Sequence, residues 1–288
     1  MLLLTAKPVA EKIRVEVKRR VHLFSQQFGR RPKLSVILVG DDNASQIYTQ
    51  RKGELALQLG MDHETITFPK SVTPAEVRNR VQKLNQDPGV DGILIQRPLP
   101  KKFLEGDVLF WISPEKDVDA FHPQHAGELH LGLPTFEPCT PAGIMELLSH
   151  YQISIQGKVA CVIGRSPIVG QPMAALLLKA DATVIQCHSK TQDLKALARQ
   201  ADILIVAAGK AGLVDATYIK PGATVIDVGI HRTSDGKLTG DVLFEEVAQV
   251  ASAISPVPGG VGPMTLSILM RNTIHAAEIR ERARQHLA

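Results

Sequence analysis

Short apolar runs alternate with longer amphipathic segments along all 288 residues of the chain. The apolar runs are short and rich in Val, Ile and Leu, which predicts strands at 34–39, 90–96, 159–163, 183–186, 203–207 and 224–228. The amphipathic segments predict helices at 45–59, 73–85, 140–150 and 264–285. Nearly continuous apolar strands that alternate with helices are typical of a parallel sheet covered on both faces. The pattern therefore predicts an α/β fold.

Two of the helices carry a start signal of threonine followed by proline. Thr73 and Pro74 are followed by Glu76, which is the spacing of a capping box. Thr140 and Pro141 repeat the cap-then-proline order. We therefore expect Thr73 and Thr140 to cap the helices that follow them.

The length indicates about two domains, at roughly 150 residues each. After residue 158 the predicted strands follow one another at shorter intervals along the sequence. We place one α/β domain at 1–138 and a second one, with a Rossmann-like parallel sheet, at 139–262. The last helix, within 264–288, is expected to pack back on the first domain.

Composition excludes several classes of protein. The 33 Lys and Arg residues against 29 Asp and Glu give a net charge of +4, spread over the chain, which does not favour nucleic-acid binding. The three cysteines form no C-x-x-C pair, so neither a zinc site nor a disulfide framework is expected. Three consecutive leucines near the start are too short for a secretory signal or a membrane helix. We therefore expect a soluble, cytoplasmic protein with no membrane partner.

A glycine-rich turn follows the strand at 159–163. Gly164 allows a tight turn and Gly170 allows close packing as the next helix begins. The start of that helix offers free N–H groups to a pyrophosphate. The spacing is G-x-S-x-x-x-G and not the G-x-G-x-x-G of dinucleotide-binding turns. An ordinary strand–turn–helix corner is therefore the alternative interpretation.

The end of the following strand distinguishes between the two nicotinamide cofactors. NAD is usually held by an Asp or Glu about 20 residues after the glycine turn. Residues 185–190 contain no carboxylate. Arg165 and Ser189 could instead bind a ribose 2′-phosphate, with Lys190 as a further candidate. This favours NADP over NAD.

The first domain contains a second set of candidate residues. Tyr48 and Lys52 lie one helical turn apart on one face, where a ring could stack on a heterocycle beside a proton-transferring amine. Gln96 ends a buried strand, and Asp117 and Asp119 lie two residues apart. The structural alternatives are a surface tyrosine on a lysine stem, a sheet-edge amide, and helix-capping or ion-paired carboxylates.

Seven ordered motifs occur between about residues 34 and 275: SxxYxxxK, DGILxQxPLP, PEKDVDxFHP, CTPxGI, GRSxxVGxP, CHSKT and PVPGGVGPMT. In this order they resemble the bifunctional methylenetetrahydrofolate dehydrogenase/cyclohydrolases. The resemblance implies two α/β domains with a cleft between them, the first binding folate and the second NADP, in a homodimer. It also implies that 5,10-methylenetetrahydrofolate is oxidised with NADP and that the methenyl product is hydrolysed to 10-formyltetrahydrofolate. Neither step requires a metal.

The resemblance also implies roles for individual residues. Lys52 is the catalytic lysine, Gln96 bonds to it and tunes it, Tyr48 stacks on the folate and Asp119 holds the polar edge of the pterin. Gly262 and Pro263 line the substrate pocket. The cofactor positions are Gly164, Arg165, Ser166, Ser189 and Ile230.

Three residues depart from the family pattern. Arg97 replaces a leucine, Ala120 a glycine, and Glu54 a second lysine. Arg97 is expected to point away from Gln96, because neighbouring strand residues face opposite sides. If it faces the cleft instead, its charge could shift the balance between the two activities. Ala120 matters only if its backbone needs a positive φ.

Two alternative functions fit parts of the pattern. One is another two-domain dehydrogenase, acting on a hydroxy or amino acid, which would need a carboxylate-binding arginine and a different acid or base. The other is a nucleotide-binding regulatory module that has lost its chemistry. The presence of Tyr48, Lys52, Gln96 and Asp119 together argues against both.

Overall fold

The computed structural model of the protein describes residues 1–103, 105–233 and 236–287. The chain divides into two compact units. The six-stranded unit comprises Met1–Glu11 and Leu129–Thr265, and the three-stranded unit comprises Lys12–Glu128 and Leu266–Ala288. Residues 1–11 and 129–138 thus group with the later part of the chain, whereas the sequence places them in a first domain at 1–138.

Strands and helices alternate along most of the described chain. The strands are β1 (Leu2–Leu3), β2 (Lys33–Val39), β3 (Asp62–Phe68), β4 (Gly92–Ile95), β5 (Val159–Ile163), β6 (Thr183–Cys187), β7 (Ile203–Val206), β8 (Thr224–Asp227), β9 (His231–Arg232), β10 (Leu238–Thr239) and β11 (Ala253–Ile254). The α-helices are α1 (Lys7–Phe28), α2 (Asn43–Gln58), α3 (Pro74–Gln86), α4 (Glu105–Val108), α5 (Pro123–His130), α6 (Cys139–His150), α7 (Gly170–Lys179), α8 (Leu194–Ala198), α9 (Phe244–Val247) and α10 (Val261–Leu287). Short 3₁₀ turns occupy Pro114–Lys116 and Ala216–Tyr218.

The six-stranded unit is built on a parallel sheet with the order β1-β11-β8-β7-β5-β6. Its central strands β7 and β8 are buried along their whole length, as expected for strands covered on both faces. Cys161, Leu204 and Val225 lie in one buried cluster on this sheet. All three cysteines are buried. In open parallel sheets, ligands bind in the loops beyond the carboxyl ends of the strands, so the candidate site is expected there.

The three-stranded unit contains a parallel sheet with the order β3-β2-β4. Strand β2 is central, and Ile37 packs in a core with Val77 of α3, Ile93 of β4 and Trp111. Strand β3 lies at an edge, and all of its residues are at least partly exposed. Together the two sheets confirm the predicted parallel α/β organisation.

The two predicted helix caps have different outcomes. Thr73 forms a complete capping box: its hydroxyl accepts the Glu76 N–H at 3.3 Å, and its own N–H donates to the Glu76 carboxylate at 2.9 Å. The prediction for Thr140 is wrong, because α6 begins at Cys139 with Pro138 in the cap position. The Thr140 hydroxyl instead lies 2.9 Å from that of Thr265. Because α6 begins before Thr140, the Thr140 side chain does not lie in the position that caps the helix.

The last predicted helix begins earlier than expected. It starts at Val261 instead of Met264, so Gly262 and Pro263 form its first turn. From Leu266 onward it belongs to the three-stranded unit, where Arg280 bonds to Asp91 at 3.1 Å. Ala288, the final residue of the predicted segment, lies outside the described residues.

Ala120, which stands where the family pattern has glycine, has a positive φ. Its φ is +61°, and its side chain is buried. For an L-residue this left-handed conformation destabilises the folded state by about 1–2 kcal/mol. A change to glycine removes that strain, but it costs a similar amount through greater chain entropy in the unfolded state and the loss of a buried methyl group. We therefore expect Ala120→Gly to leave the free energy of unfolding nearly unchanged.

Ala56, which is buried within α2 of the same unit, provides the matched control. There Ala→Gly removes a buried methyl group and helix propensity together, and should cost about 1.5–2 kcal/mol. Urea unfolding of both variants measures the difference. Equal losses at the two positions would contradict the strain assigned to Ala120.

Candidate active site

Helix α2 carries Tyr48 and Lys52, and its start is fixed by a cap. The Asp42 carboxylate accepts the Ser45 N–H at 2.8 Å and the Ser45 hydroxyl at 2.7 Å, and these bonds lower the pKa of Asp42. From this start, Lys52 falls on the inward face of the helix and is buried. Tyr48 lies one turn earlier and is half-buried.

The amine of Lys52 is held by Gln96. Lys52 Nζ donates to Gln96 Oε1 at 2.7 Å, and Gln96 Nε2 donates to the Arg97 carbonyl at 2.6 Å. Because the amide nitrogen is bound by a backbone carbonyl, the amide oxygen is the atom turned to Lys52. Gln96 follows the carboxyl end of β4 directly. The structure therefore brings together two of the predicted catalytic residues from separate elements.

Glu54, the third departure, lies on the exposed side of α2. Its carboxylate accepts the Gln50 side-chain amide at 2.8 Å, one turn away. Its charge is therefore directed to the solvent side of the helix, while Lys52 points inward.

The segment 116–122 presents the predicted carboxylates. Asp117 is buried, and its carboxylate accepts the His122 N–H at 2.6 Å. Asp119 is half-buried, and both carboxylates line one small cavity. Lys116 precedes them: it is buried, and its amine donates to the carbonyls of Leu84 and Asp87 at the end of α3. Lys116 therefore anchors the segment, and burial lowers its pKa to about 8.

Asp117 should make stability depend on pH. Burial raises its pKa from 3.8 to about 7. Between these values the folded protein holds a proton that the unfolded chain has lost, so the Asp117 contribution to unfolding free energy falls as pH rises from about 4 to about 7. Asparagine does not titrate. We therefore expect the stability of the wild type, relative to Asp117→Asn, to fall across this window in urea unfolding.

Asp42→Asn supplies a control of the opposite sign. The Ser45 bonds lower the pKa of Asp42, so its contribution is present above the ordinary carboxyl pKa and is lost as pH falls. A constant difference between the wild type and Asp117→Asn from pH 4 to pH 7 would contradict the raised pKa of Asp117.

Arg97 lines the same cavity as Asp119 and Phe121. Its guanidinium carbon lies 5.7 Å from the centre of the Phe121 ring, which is a cation–π distance. Arg97 thus adds a positive charge to the wall on which Asp119 lies. The hypothesis that this charge shifts the balance between two activities stays a prediction.

The six-stranded unit contains the glycine turn at the carboxyl end of β5. Gly164 has a φ of +144°, and a Cβ there would collide with the Ala207 carbonyl. A Cβ on Gly170 would collide with the Gly164 carbonyl, so the second glycine makes room for the turn itself. The Ser166 hydroxyl accepts the N–H groups of Val169 and Gly170 at 3.2 and 3.4 Å, which fixes the start of α7.

A cavity of about 500 Å³ opens beside this turn. Its walls include four of the predicted cofactor residues, namely Gly164, Arg165, Ser166 and Ser189. The size and position fit a dinucleotide: the cavity lies at the carboxyl ends of parallel strands and beside the start of α7, with exposed Arg165 on its wall. Lys210 also lines the cavity and is not among the residues predicted from the sequence. Its signal is the same as that of Gln96, a polar residue shortly after a buried strand.

Ile230 and Gly262 come close to each other in the same unit. Ile230 is exposed, and its Cδ1 would lie 3.7 Å from a Cβ placed on Gly262. Pro263 follows in the first turn of α10. The predicted roles of Ile230 at the cofactor, and of Gly262 and Pro263 at the substrate, stay predictions.

Membrane-spanning helices and metal-ligand clusters are both absent from the described residues. In the described ranges, no helix is both long and apolar enough to cross a membrane. Within the same part of the chain, no three His, Cys, Asp or Glu side chains are grouped as metal ligands would be.

Comparison with known proteins identifies a family for both parts of the chain. Residues 4–119 match the catalytic domain of tetrahydrofolate dehydrogenase/cyclohydrolase, and residues 138–281 match the NAD(P)-binding domain of the same enzyme. The bifunctional protein FolD of Ligilactobacillus salivarius is 50% identical over 276 residues, which is 96% of each chain.

Solved structures of similar proteins support the same family. The crystal structure of the bifunctional FolD enzyme from Campylobacter jejuni is 46% identical, with a TM-score of 0.94, over 97% of this chain and 99% of that one. The Trypanosoma brucei FolD structure, complexed with NADP cofactor and inhibitor, is 37% identical with a TM-score of 0.93, over 98% of this chain and 99% of that one. The chain therefore belongs to the tetrahydrofolate dehydrogenase/cyclohydrolase family.

Proposed function

We propose that this chain oxidises 5,10-methylenetetrahydrofolate with NADP and hydrolyses the resulting methenyl compound to 10-formyltetrahydrofolate. The hydrogen bond of 2.7 Å from Lys52 Nζ to Gln96 Oε1 supports this most directly, because it holds a buried amine in one orientation. Family membership and the FolD relatives support the same pair of activities. A hydroxy-acid dehydrogenase or a decayed regulatory module would not require this pair.

NADP, when bound, supplies the hydride acceptor for the first step. The residues that would hold it are Gly164, Arg165, Ser166, Ser189 and Ile230. Loss of hydride leaves a cation shared between N5 and N10 of the folate. An uncharged Lys52 is compatible with this cation, whereas an ammonium would repel it.

In the hydrolysis, water attacks the methenyl carbon and the Lys52 amine accepts a proton from that water as the C–O bond forms. The resulting ammonium then gives the proton to N5 as the C–N5 bond breaks. The remaining hydroxyl proton leaves to solvent as the formyl C=O forms. Gln96 orients the amine through both transfers, since its own amide nitrogen is bound to the Arg97 carbonyl.

The other proposed roles are those that the family resemblance implies, and they are compatible with residue chemistry. The Tyr48 ring can stack on the flat face of the folate. The Asp119 carboxylate can accept hydrogen bonds from the polar edge of the pterin. Gly262 and Pro263 are the further substrate-binding residues of the proposal. We extend the proposal to folate binding by the domain predicted at 1–138, NADP binding by the domain predicted at 139–262, and a cytoplasmic homodimer.

A spectrophotometric assay tests the two activities. The full chain is supplied with 5,10-methylenetetrahydrofolate and NADP, and the absorbances of NADPH and of the methenyl product are followed. Decay of the methenyl absorbance then reports the hydrolysis. Failure to reduce NADP would overturn the proposed function.

A further inference from the structure

A buried carboxylate links two loops of the six-stranded unit. Asp241 is completely buried. Its Oδ2 accepts the N–H groups of Ala208 and Gly209 at 2.7 and 2.9 Å. Its Oδ1 lies 2.7 Å from His231 Nε2, which must be the donor when the carboxylate is ionised. One side chain therefore ties the turn after β7 to the short strand β9.

One tied segment lines the candidate cofactor cavity, and the other adjoins a predicted cofactor residue. Ala208 lines the cavity of about 500 Å³ together with Arg165 and Ser189. On the other side, His231 directly follows Ile230, the remaining predicted cofactor residue. Asp241 itself is not among the predicted site residues, and the mechanism above does not use it.

A second buried carboxylate holds Asp241 in place. Asp227, at the end of β8, accepts the backbone N–H groups of Asp241 and Val242 at 2.9 and 3.0 Å, and that of Gly229 at 3.0 Å. Glycine is required where the backbone passes the two carboxylates. A Cβ on Gly229 would collide with Asp241, and one on Gly240 would collide with Asp227. The position of the Asp241 carboxylate is therefore set by backbone contacts on several sides.

We propose that Asp241 is a positioning residue of the NADP site, which fixes the 208–209 turn relative to the 230–231 segment. Without its two acceptor oxygens, the backbone N–H groups of Ala208 and Gly209 and the ring of His231 have no common anchor. The two segments can then separate, and the cofactor must order them on binding. This inference rests on the cofactor assignment of the proposed function.

Asp241→Asn tests the role, because the amide nitrogen cannot accept the bonds that one carboxylate oxygen accepts. Isothermal titration of the full-length variant with NADP should give a Kd at least tenfold higher than that of the wild type. His231→Ala removes only one of the two links and should raise the Kd about threefold or more. It keeps the proposal testable if Asp241→Asn does not fold.

Asp202→Asn is the matched control. Asp202 accepts the Val159 N–H at 2.9 Å and pairs with Lys220 at 2.7 Å, just before β7 and so at the opposite end of that strand. This variant should lower the melting temperature while leaving the Kd for NADP unchanged. An equal rise of the Kd in Asp202→Asn would reduce the effect of Asp241 to general destabilisation and overturn the proposal.

The remaining outcomes separate the two proposals. Wild-type protein that binds no NADP contradicts the proposed function itself. Wild-type protein that binds NADP, with an unchanged Kd in folded Asp241→Asn or in His231→Ala, overturns only the positioning role.

Discussion

Lys52→Met should lower the rate of methenyltetrahydrofolate hydrolysis by about 10²- to 10⁴-fold, the usual contribution of a positioned acid–base group. Methionine has a similar length and fills the buried space, so the loss comes from the missing amine and not from a cavity. Both proton transfers of the hydrolysis pass through that amine in the proposed mechanism. Decay of methenyl absorbance under single-turnover conditions measures the effect.

Lys33→Met is the control for the loss of a lysine in the same unit. Lys33 is half-buried, pairs with Glu64 at 2.9 Å and lies on β2. It should keep its hydrolysis rate within about twofold, since exposed or half-exposed pairs contribute little. A Lys52→Met enzyme with the rate of the control would contradict the assignment of Lys52 as the catalytic lysine.

The hydrolysis assay also tests whether Gln96 acts through Lys52. Because groups that act as one unit have non-additive effects, adding Gln96→Leu to Lys52→Met should cost little more than Lys52→Met alone. A further large loss in the double variant would mean that Gln96 acts independently of Lys52.

The elements that the sequence predicted well are those with a strong local signal. Strand β5 matches its predicted bounds, and α3 begins where its capping box indicates. Strand β3 was missed because its polar residues, Asp62 and Glu64 among them, reflect an edge position that no local pattern reveals. Helix α1 was not predicted either, although it spans Lys7–Phe28.

In the candidate site, too, the sequence indicates the residues that belong to a motif but not the contacts that depend on the fold. The resemblance pointed to both Lys52 and Gln96, but the second bond of Gln96, to the Arg97 carbonyl, depends on backbone placement after β4. Asp241 and His231 had no signal at all. Each is an ordinary polar residue in the sequence, and their contact arises only because the ends of β7 and β8 bring distant loops together.

Arg165→Ala should raise the KM for NADP by about ten- to fortyfold and leave the KM for NAD nearly unchanged. The guanidinium is exposed on the wall of the cofactor cavity, where it can reach a 2′-phosphate. A hydrogen bond between charged partners contributes about 1.5–3 kcal/mol, and solvent exposure favours the lower part of that range. NAD lacks the phosphate, so it loses nothing when Arg165 is removed. Steady-state rates with each cofactor give the two KM values.

Arg199→Ala controls for the loss of one positive charge from the same unit. Arg199 is exposed just after α8, and its removal should change the KM for either cofactor less than twofold. If Arg165→Ala raised the KM for NADP and NAD equally, Arg165 would contact a part common to both cofactors, such as the pyrophosphate. The preference for NADP would then have to come from Ser189 or Lys210. A selective loss for NADP assigns the 2′-phosphate to Arg165, because only a direct contact distinguishes two cofactors that differ in that one group.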